Sequence, residues 1–360
     1  EMNTELPIAV NRKWEQQQSS GFRQIHPDRR KNVKRFSVKM ILAMLCGVSL
    51  IAVVVWFADA NKKTDANDYK FIYIPKTEDA TNDFWTSLIE GTKSAAKECN
   101  VELEVIAPES ELNYLRQNEI LQESIDKVPN AILISPSSFT ESQELLKQAK
   151  EKGIMVTYID SYTQEHIQDL IVATDNLEAG RKLGEYTKTF LEKGSQIAII
   201  GHVKGVSTAM EREEGFREGL GEFEGNLVDV VFCDSNFDKA YELACDLMER
   251  YPELKVIAGL NEYSAVGAAR AVRDKGVQDK IVIVGVDSSQ EAVSMMEQGV
   301  FLGMVVQKAF KMGYAGVRET VKRLQGEMTE DSVNSGCELI TPDNMYDSEI
   351  EKLLFPFEVD

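Results

Sequence analysis

From Tyr69 onward, short apolar runs alternate with amphipathic stretches through about 290 residues, and this alternation restricts the chain to one kind of architecture. The runs fall at 69–74, 101–106, 131–134, 154–159, 170–174, 196–201, 227–232, 255–259, 281–286 and 302–306. Between them lie stretches such as 84–98, 140–152, 176–193, 208–220, 238–250, 262–274 and 308–325. Apolar runs this short, set between helical segments, read as parallel strands buried on both faces. Repeated strand–helix units form parallel sheets with right-handed crossovers. The length exceeds what one core fills comfortably, so two α/β lobes are expected. Thr140 with Gln143 and Ser288 with Glu291 have the capping-box spacing and predict two helix starts.

Four of the runs stop at a single polar side chain. Ile154–Ile159 ends at Asp160, Val256–Leu260 at Asn261, Ile281–Val286 at Asp287, and Leu302–Val306 at Gln307. The carboxyl ends of strands in open parallel sheets are where ligands bind. Two carboxylates and two amides placed there suit a small polar molecule. A competing role for Asp160, Asn261 and Asp287 is helix N-capping, which Asp and Asn favour.

Residues 40–58 form a 19-residue stretch without charge, preceded by Arg29, Arg30, Lys31, Lys34, Arg35 and Lys39. As a helix this stretch reaches about 28 Å, close to the hydrocarbon thickness of a bilayer. The positive-inside rule then places residues 1–39 in the cytoplasm and everything after Asp59 outside. A retained single-pass anchor is expected. Cleavage at Ala58-Asp59-Ala60, which has the small-x-small form, would release the protein instead.

Residues 1–39 carry nine basic and four acidic side chains, net +5, so within a whole-chain charge of −19 the remainder carries −24. An ectodomain this acidic repels nucleic acid and anionic lipid and fits neutral or cationic ligands. Cys99, Cys233, Cys245 and Cys337 show no paired metal spacing; Cys233 and Cys245 are spaced to bridge, but buried thiols are expected. The Gly-rich segment 201–208 lacks the Gly-Lys-Ser/Thr ending of a phosphate loop. Asp234-x-Asn236-x-Asp238 begins like a calcium loop and then has Lys239 in place of the turn glycine. His26, His166 and His202 are scattered, and no catalytic signature, metal site or cofactor motif is present, so a binding protein rather than an enzyme is expected.

Three further features fit a hydroxyl-rich ligand. Phe84 and Trp85 follow Asn82 at the turn from the first strand into a helix, where they offer flat faces to the C–H side of a sugar or simply pack in the core. Arg212, on the first turns of a helix, can bridge two hydroxyls with its donor fork or pair at the surface with Glu211 or Glu213. Phe237 offers a third aromatic face, or ordinary packing.

In order and spacing these motifs resemble the type I periplasmic sugar-binding proteins of the ribose- and galactose-binding group. The motifs are Asn-x-Phe-Trp at 82–85, strand-Asp at 160, Ala-Thr-Asp-Asn at 173–176, Arg-x-x-Gly-Phe at 212–216, Asn-Glu at 261–262, Val-Gly-Val-Asp at 284–287 and strand-Gln at 307. The resemblance covers about residues 69–345. It implies two Rossmann-like lobes, 69–174 with 308–336 and 175–307 with 337–346, joined by a three-strand hinge. Before them come the 1–39 tail, the 40–58 transmembrane helix and a 59–68 linker, and after them a 347–360 tail. It further implies that Asn82, Asp160, Arg212, Asn261, Asp287 and Gln307 hydrogen-bond one sugar while Phe84, Trp85 and Phe237 stack on it. Two positions depart from the family. Ser161 stands where ribose binders carry an Arg, and Asp83 replaces a frequent Pro, which leaves the sugar open.

The expected function is a membrane-tethered, monomeric receptor that hands a sugar to ABC permease subunits. A sensory subunit read by a histidine kinase or chemoreceptor is the alternative. A DNA-binding repressor of the related lobed type is excluded, because residues 1–39 show no helix-turn-helix pattern.

Overall fold

The computed structural model describes residues 69–355. The 1–39 tail, the 40–58 apolar stretch and the 59–68 linker lie outside the described residues. Among those described, no helix is long and apolar enough to cross a membrane.

Two six-stranded sheets organise the chain. The first contains β1 (Lys70–Ile74), β2 (Glu102–Val105), β3 (Ala131–Ile134), β4 (Met155–Ile159), β5 (Leu170–Ala173) and β11 (Ser332–Asn334), in the order β11-β5-β4-β3-β1-β2. All its pairings are parallel. The second contains β6 (Gln196–Gly201), β7 (Leu227–Phe232), β8 (Leu254–Gly259), β9 (Val282–Val286), β10 (Phe301–Gln307) and β12 (Cys337–Ile340), in the order β12-β10-β9-β8-β6-β7. Only β12 runs antiparallel to its neighbour. Strands β11 and β12 were not expected. Each is at most four residues long and lies at a sheet edge, so neither needs an apolar run.

The alternation of side chains along each strand divides the core between two faces. Ile72 and Ile74 of β1 pack on one face with Ile120 and Leu121 of α2 (Tyr114–Asp126) and Leu146 of α3 (Gln143–Glu151). Phe71 and Tyr73 face the other way, toward Leu88 of α1 (Asp83–Glu98) and Val317 of α9 (Ala309–Leu324). In the second lobe Ile197 and Ile199 meet α4 (Asn176–Lys188) and α5 (Ser207–Leu220). Ala198 and Ile200 face α6 (Phe237–Arg250), α7 (Glu262–Asp274) and α8 (Gln290–Glu297).

Glycines set the spacing of two helix pairs. A Cβ on Gly215 of α5 would lie 2.0 Å from the Leu177 carbonyl oxygen of α4, and one on Gly313 of α9 would lie 2.0 Å from the Leu88 carbonyl oxygen of α1. Helix starts differ locally from expectation. Ser142, not Thr140, precedes α3 and makes no side-chain cap, while Gln143 accepts from the Glu165 backbone instead. Ser289, not Ser288, caps α8, and Glu291 pairs with Arg270. The segment expected as a tail from 347 turns into helix α10 (Ser348–Leu354), with Leu354 buried.

The chain passes between the sheets three times: after β5, between β10 and α9, and between β11 and β12. These crossings are tied together by Thr174 Oγ1 and Ser335 Oγ, 3.1 Å apart, and by Lys308 N donating to the Gly336 carbonyl at 3.2 Å.

Candidate functional site

Each sheet has the strand order 2-1-3-4-5, which reverses direction between its first and third strands and leaves a crevice at their carboxyl ends. The two crevices face one another. Lys76 follows β1 and Asp160 follows β4; across from them stand His202 after β6, Asn261 after β8 and Asp287 after β9. With Asn82, Phe84, Trp85, Glu111, Thr208 and Arg212 they enclose a cavity of about 20 Å³, room for one water molecule. Beside it, sharing Phe84 and Asp287, lies a groove of about 1150 Å³ that Phe237, Gln307 and α10 help to line.

Asp160 is 3% exposed and accepts from Lys76 Nζ at 2.8 Å, forming a buried ion pair. Asp287 accepts from Gln307 Nε2 at 2.7 Å and stands 3.9 Å from Arg212 Nη1. Neither aspartate caps a helix. Both hold left-handed backbone, φ 71° and 73°, a conformation that Asp tolerates better than most residues and that lifts the side chain off the end of its strand. Burial raises the Asp287 pKa above the usual range, opposed by the Arg212 charge and the Gln307 bond. Gln307 Oε1 is buried without a hydrogen-bond partner.

Arg212 forms no surface pair with Glu211 or Glu213. It is 3% exposed, and donates from Nε to Asn176 Oδ1 at 2.8 Å and from Nη1 to the Leu260 carbonyl at 2.9 Å. The close packing of α4 on α5 makes this reach possible, since a Cβ on Gly180 would lie 2.2 Å from the Arg212 carbonyl oxygen. Asn82 and Asn261 are helix caps as well as cavity walls. Asn82 Oδ1 accepts from Trp85 N at 3.0 Å, and Asn261 forms a reciprocal capping box with Ser264.

Phe84 and Trp85 meet edge to face at 5.1 Å between ring centroids. Phe237 lines the groove rather than the cavity; its ring lies 4.7 Å from Tyr263, with the Arg270 guanidinium 4.8 Å above it. Ser161 is not brought to the cavity wall and donates to the Pro136 carbonyl at 3.0 Å. The cation that an Arg at 161 would supply comes instead from Lys76, beyond the end of β1, two strands away from β4.

Of the residues lining the cavity, sequence reasoning missed Lys76, Glu111, His202 and Thr208. Extending the strand-end rule to β1 and β6 finds two of them, because Lys76 follows Ile74-Pro75 and His202 follows Gly201 directly. His202 Nε2 lies 2.9 Å from Thr208 Oγ1, and burial, reinforced by Arg212 and Lys76, pulls its pKa well below the ordinary value. The ring is therefore neutral and can exchange hydrogen bonds as donor or acceptor. Glu111 lies in the loop between β2 and α2, where no pattern marks it.

Several hydrogen bonds cross between the lobes around this cavity. Glu262, the first residue of α7, accepts from Asp83 N at 3.2 Å and Phe84 N at 3.1 Å, at the start of α1. Burial raises its pKa well above the usual range. Tyr263 donates to Asp79 Oδ2 at 2.8 Å, and Tyr162 N donates to Ser207 Oγ at 3.1 Å. Among the described residues no cluster of three or more His, Cys, Asp or Glu is placed to hold a metal ion.

Residues 72–328 match the model of a periplasmic binding protein domain. The chain is 26% identical over 272 residues to a D-ribose/D-allose-binding protein of Pseudomonas aeruginosa, covering 72% of this chain and 85% of that protein. It is 26% identical over 247 residues to the D-allose-binding periplasmic protein of Escherichia coli, covering 66% and 79%. The crystal structure of a sugar transporter from Clostridium phytofermentans shares 43% identity at a TM-score of 0.73, covering 77% of this chain and all of that one. Two facing α/β lobes, a polar cavity at their strand ends and these relatives agree: the chain belongs to the type I periplasmic sugar-binding proteins, a family of solute-binding proteins rather than enzymes.

Proposed function

We propose that residues 69–355 form an extracytoplasmic receptor, tethered by residues 40–58, that binds a monosaccharide or similar small polyol between its lobes and delivers it to an ABC importer. One observation carries this reading: cationic, anionic and amide side chains from both lobes converge on a single cavity beside Phe84 and Trp85. Sugar hydroxyls donate and accept, so Lys76 and Arg212 (donors), Asp160 and Asp287 (acceptors) and the amides (both) can satisfy one ring in a fixed orientation. A missing hydroxyl leaves a buried charge unpaired, which makes such a site selective.

A cavity of about 20 Å³ must widen before a sugar ring enters. Movement of the lobes about the three crossings supplies that opening, and the cross-lobe bonds of Glu262 and Tyr263 re-form on closure. The relatives named for ribose and allose define a first panel of pentoses and hexoses. Calorimetry on the full chain is expected to find at least one sugar bound more tightly than millimolar, with compaction in small-angle scattering at saturation. No binder in the panel, or an unchanged scattering profile with a saturating sugar, refutes the reading. Stimulation of a permease's ATPase by the sugar-loaded chain would distinguish delivery from the sensory alternative.

A further inference from the structure

Glu111 belongs to none of the strand ends or family motifs, yet it is 5% exposed and lines the cavity. Its Oε1 accepts from the Trp85 indole Nε1 at 2.6 Å, within the first lobe. Its Oε2 accepts from Ser235 Oγ at 2.7 Å, in the second lobe. A buried indole N–H needs only one acceptor, and a neutral amide or carbonyl provides it without burying a charge. A carboxylate in that place is compensated when both oxygens are bonded, and its second donor arrives with the opposite lobe.

Ser235 reaches across from the turn between β7 and α6. There Asp234 and Ser235 hold successive left-handed conformations, φ 53° and 50°, which non-glycine residues keep only where their surroundings impose them. The indole is held on other sides too, with Lys76 Nζ 5.8 Å from its ring centroid and Phe84 edge-on.

We propose that Glu111 is a positioning residue: it holds the Trp85 indole at the angle a bound sugar meets and, through Ser235, makes that angle depend on lobe closure. The proposal rests on the reading of a sugar in the cleft, so the full chain is first titrated with the sugar panel and the variants are then compared on the tightest binder. Glu111→Ala is expected to weaken binding about 10–100-fold, and Glu111→Gln, which keeps an acceptor for the indole, less than about ten-fold. In a Trp85→Phe background, which lacks the N–H, Glu111→Ala should change affinity by less than about two-fold, because coupled residues are not additive.

Trp85 fluorescence, isolated by Trp14→Phe and Trp56→Phe, should respond to sugar in the parent and less than half as strongly in Ser235→Ala. That half-buried turn residue keeps the test available should Glu111→Ala fold poorly. Equal losses with and without the indole, or an undiminished fluorescence response in Ser235→Ala, overturn the proposal and leave the sugar reading standing. A panel in which nothing binds the parent overturns both.

Discussion

Lys76→Met removes the ammonium that pairs with Asp160 while nearly preserving volume. Both side chains are 3% exposed and the contact is 2.8 Å. At that distance the gross attraction is about 6 kcal/mol for an effective dielectric of about 20. Desolvation of two buried ions cancels much of it, so the pair is a poor stability element overall. The single substitution is another matter, because it leaves the aspartate buried without its partner, at a cost of about 3–5 kcal/mol. Asp287 shares the cavity and adds like-charge repulsion. Urea unfolding at pH 7 is the assay, with Lys76→Met, Asp160→Asn and the double variant compared with the parent. Lys76→Met should lose about 3–5 kcal/mol, and the double variant should regain most of that loss, giving a coupling of at least about 2 kcal/mol. A Lys76→Met protein within about 1 kcal/mol of the parent, or a double variant no more stable than the single, would refute the buried-pair argument.

Arg212→Ala leaves Asp287 without its nearest cation and should weaken sugar binding by about 2–5 kcal/mol, read by calorimetry; parent-like affinity would confine Arg212 to a structural role. Gly215→Ala drives a Cβ against the Leu177 carbonyl and should cost about 1–3 kcal/mol in denaturant unfolding and reduce affinity by displacing Arg212, whereas Gly225→Ala, with nothing within 4 Å, should be nearly neutral. Burial pushes the Cys233 thiol up to about 11 from its ordinary 9. A thiol with a raised folded pKa stabilises below pH 9 and loses that contribution as pH rises through about 11. Parent stability should therefore fall by about 2–3 kcal/mol relative to Cys233→Ala across that window, and parallel stability-versus-pH curves would contradict the assignment. Cys233 is buried, as expected of a thiol in the core, whereas Cys245 is half-buried.

The fold was legible because its strands are apolar on both faces and its helices on one, a local pattern that needs no tertiary information. The ten apolar runs all became strands, whereas β11 and β12 stayed hidden because short edge strands carry little apolar signal. Asp160, Asn261, Asp287 and Gln307 stand out because an apolar run stops at each, whereas Lys76 and His202 follow Pro75 and Gly201, which blur the end of the run. Glu111 had no local signature, and Glu262, though part of the Asn-Glu motif, gave no sign of its role, since each takes its meaning from a partner more than a hundred residues away in the other lobe. The same limit applied to capping. Asp287 and Asn261 look alike at a strand end, and only the backbone angle separates the residue that caps a helix from the one held in the left-handed region.

By itself, then, the sequence determined the layers, the strand ends and the family, because each is written in hydrophobic period and motif order along the chain. The tertiary structure alone decided which charges share the cavity. Lys76 rather than a residue beside Asp160 supplies its counter-ion, Ser161 turns away to the Pro136 carbonyl, and Phe237 faces the groove. Electrostatic partnership depends on distance in space, and β1 and β4 come together only when β3 pairs between them.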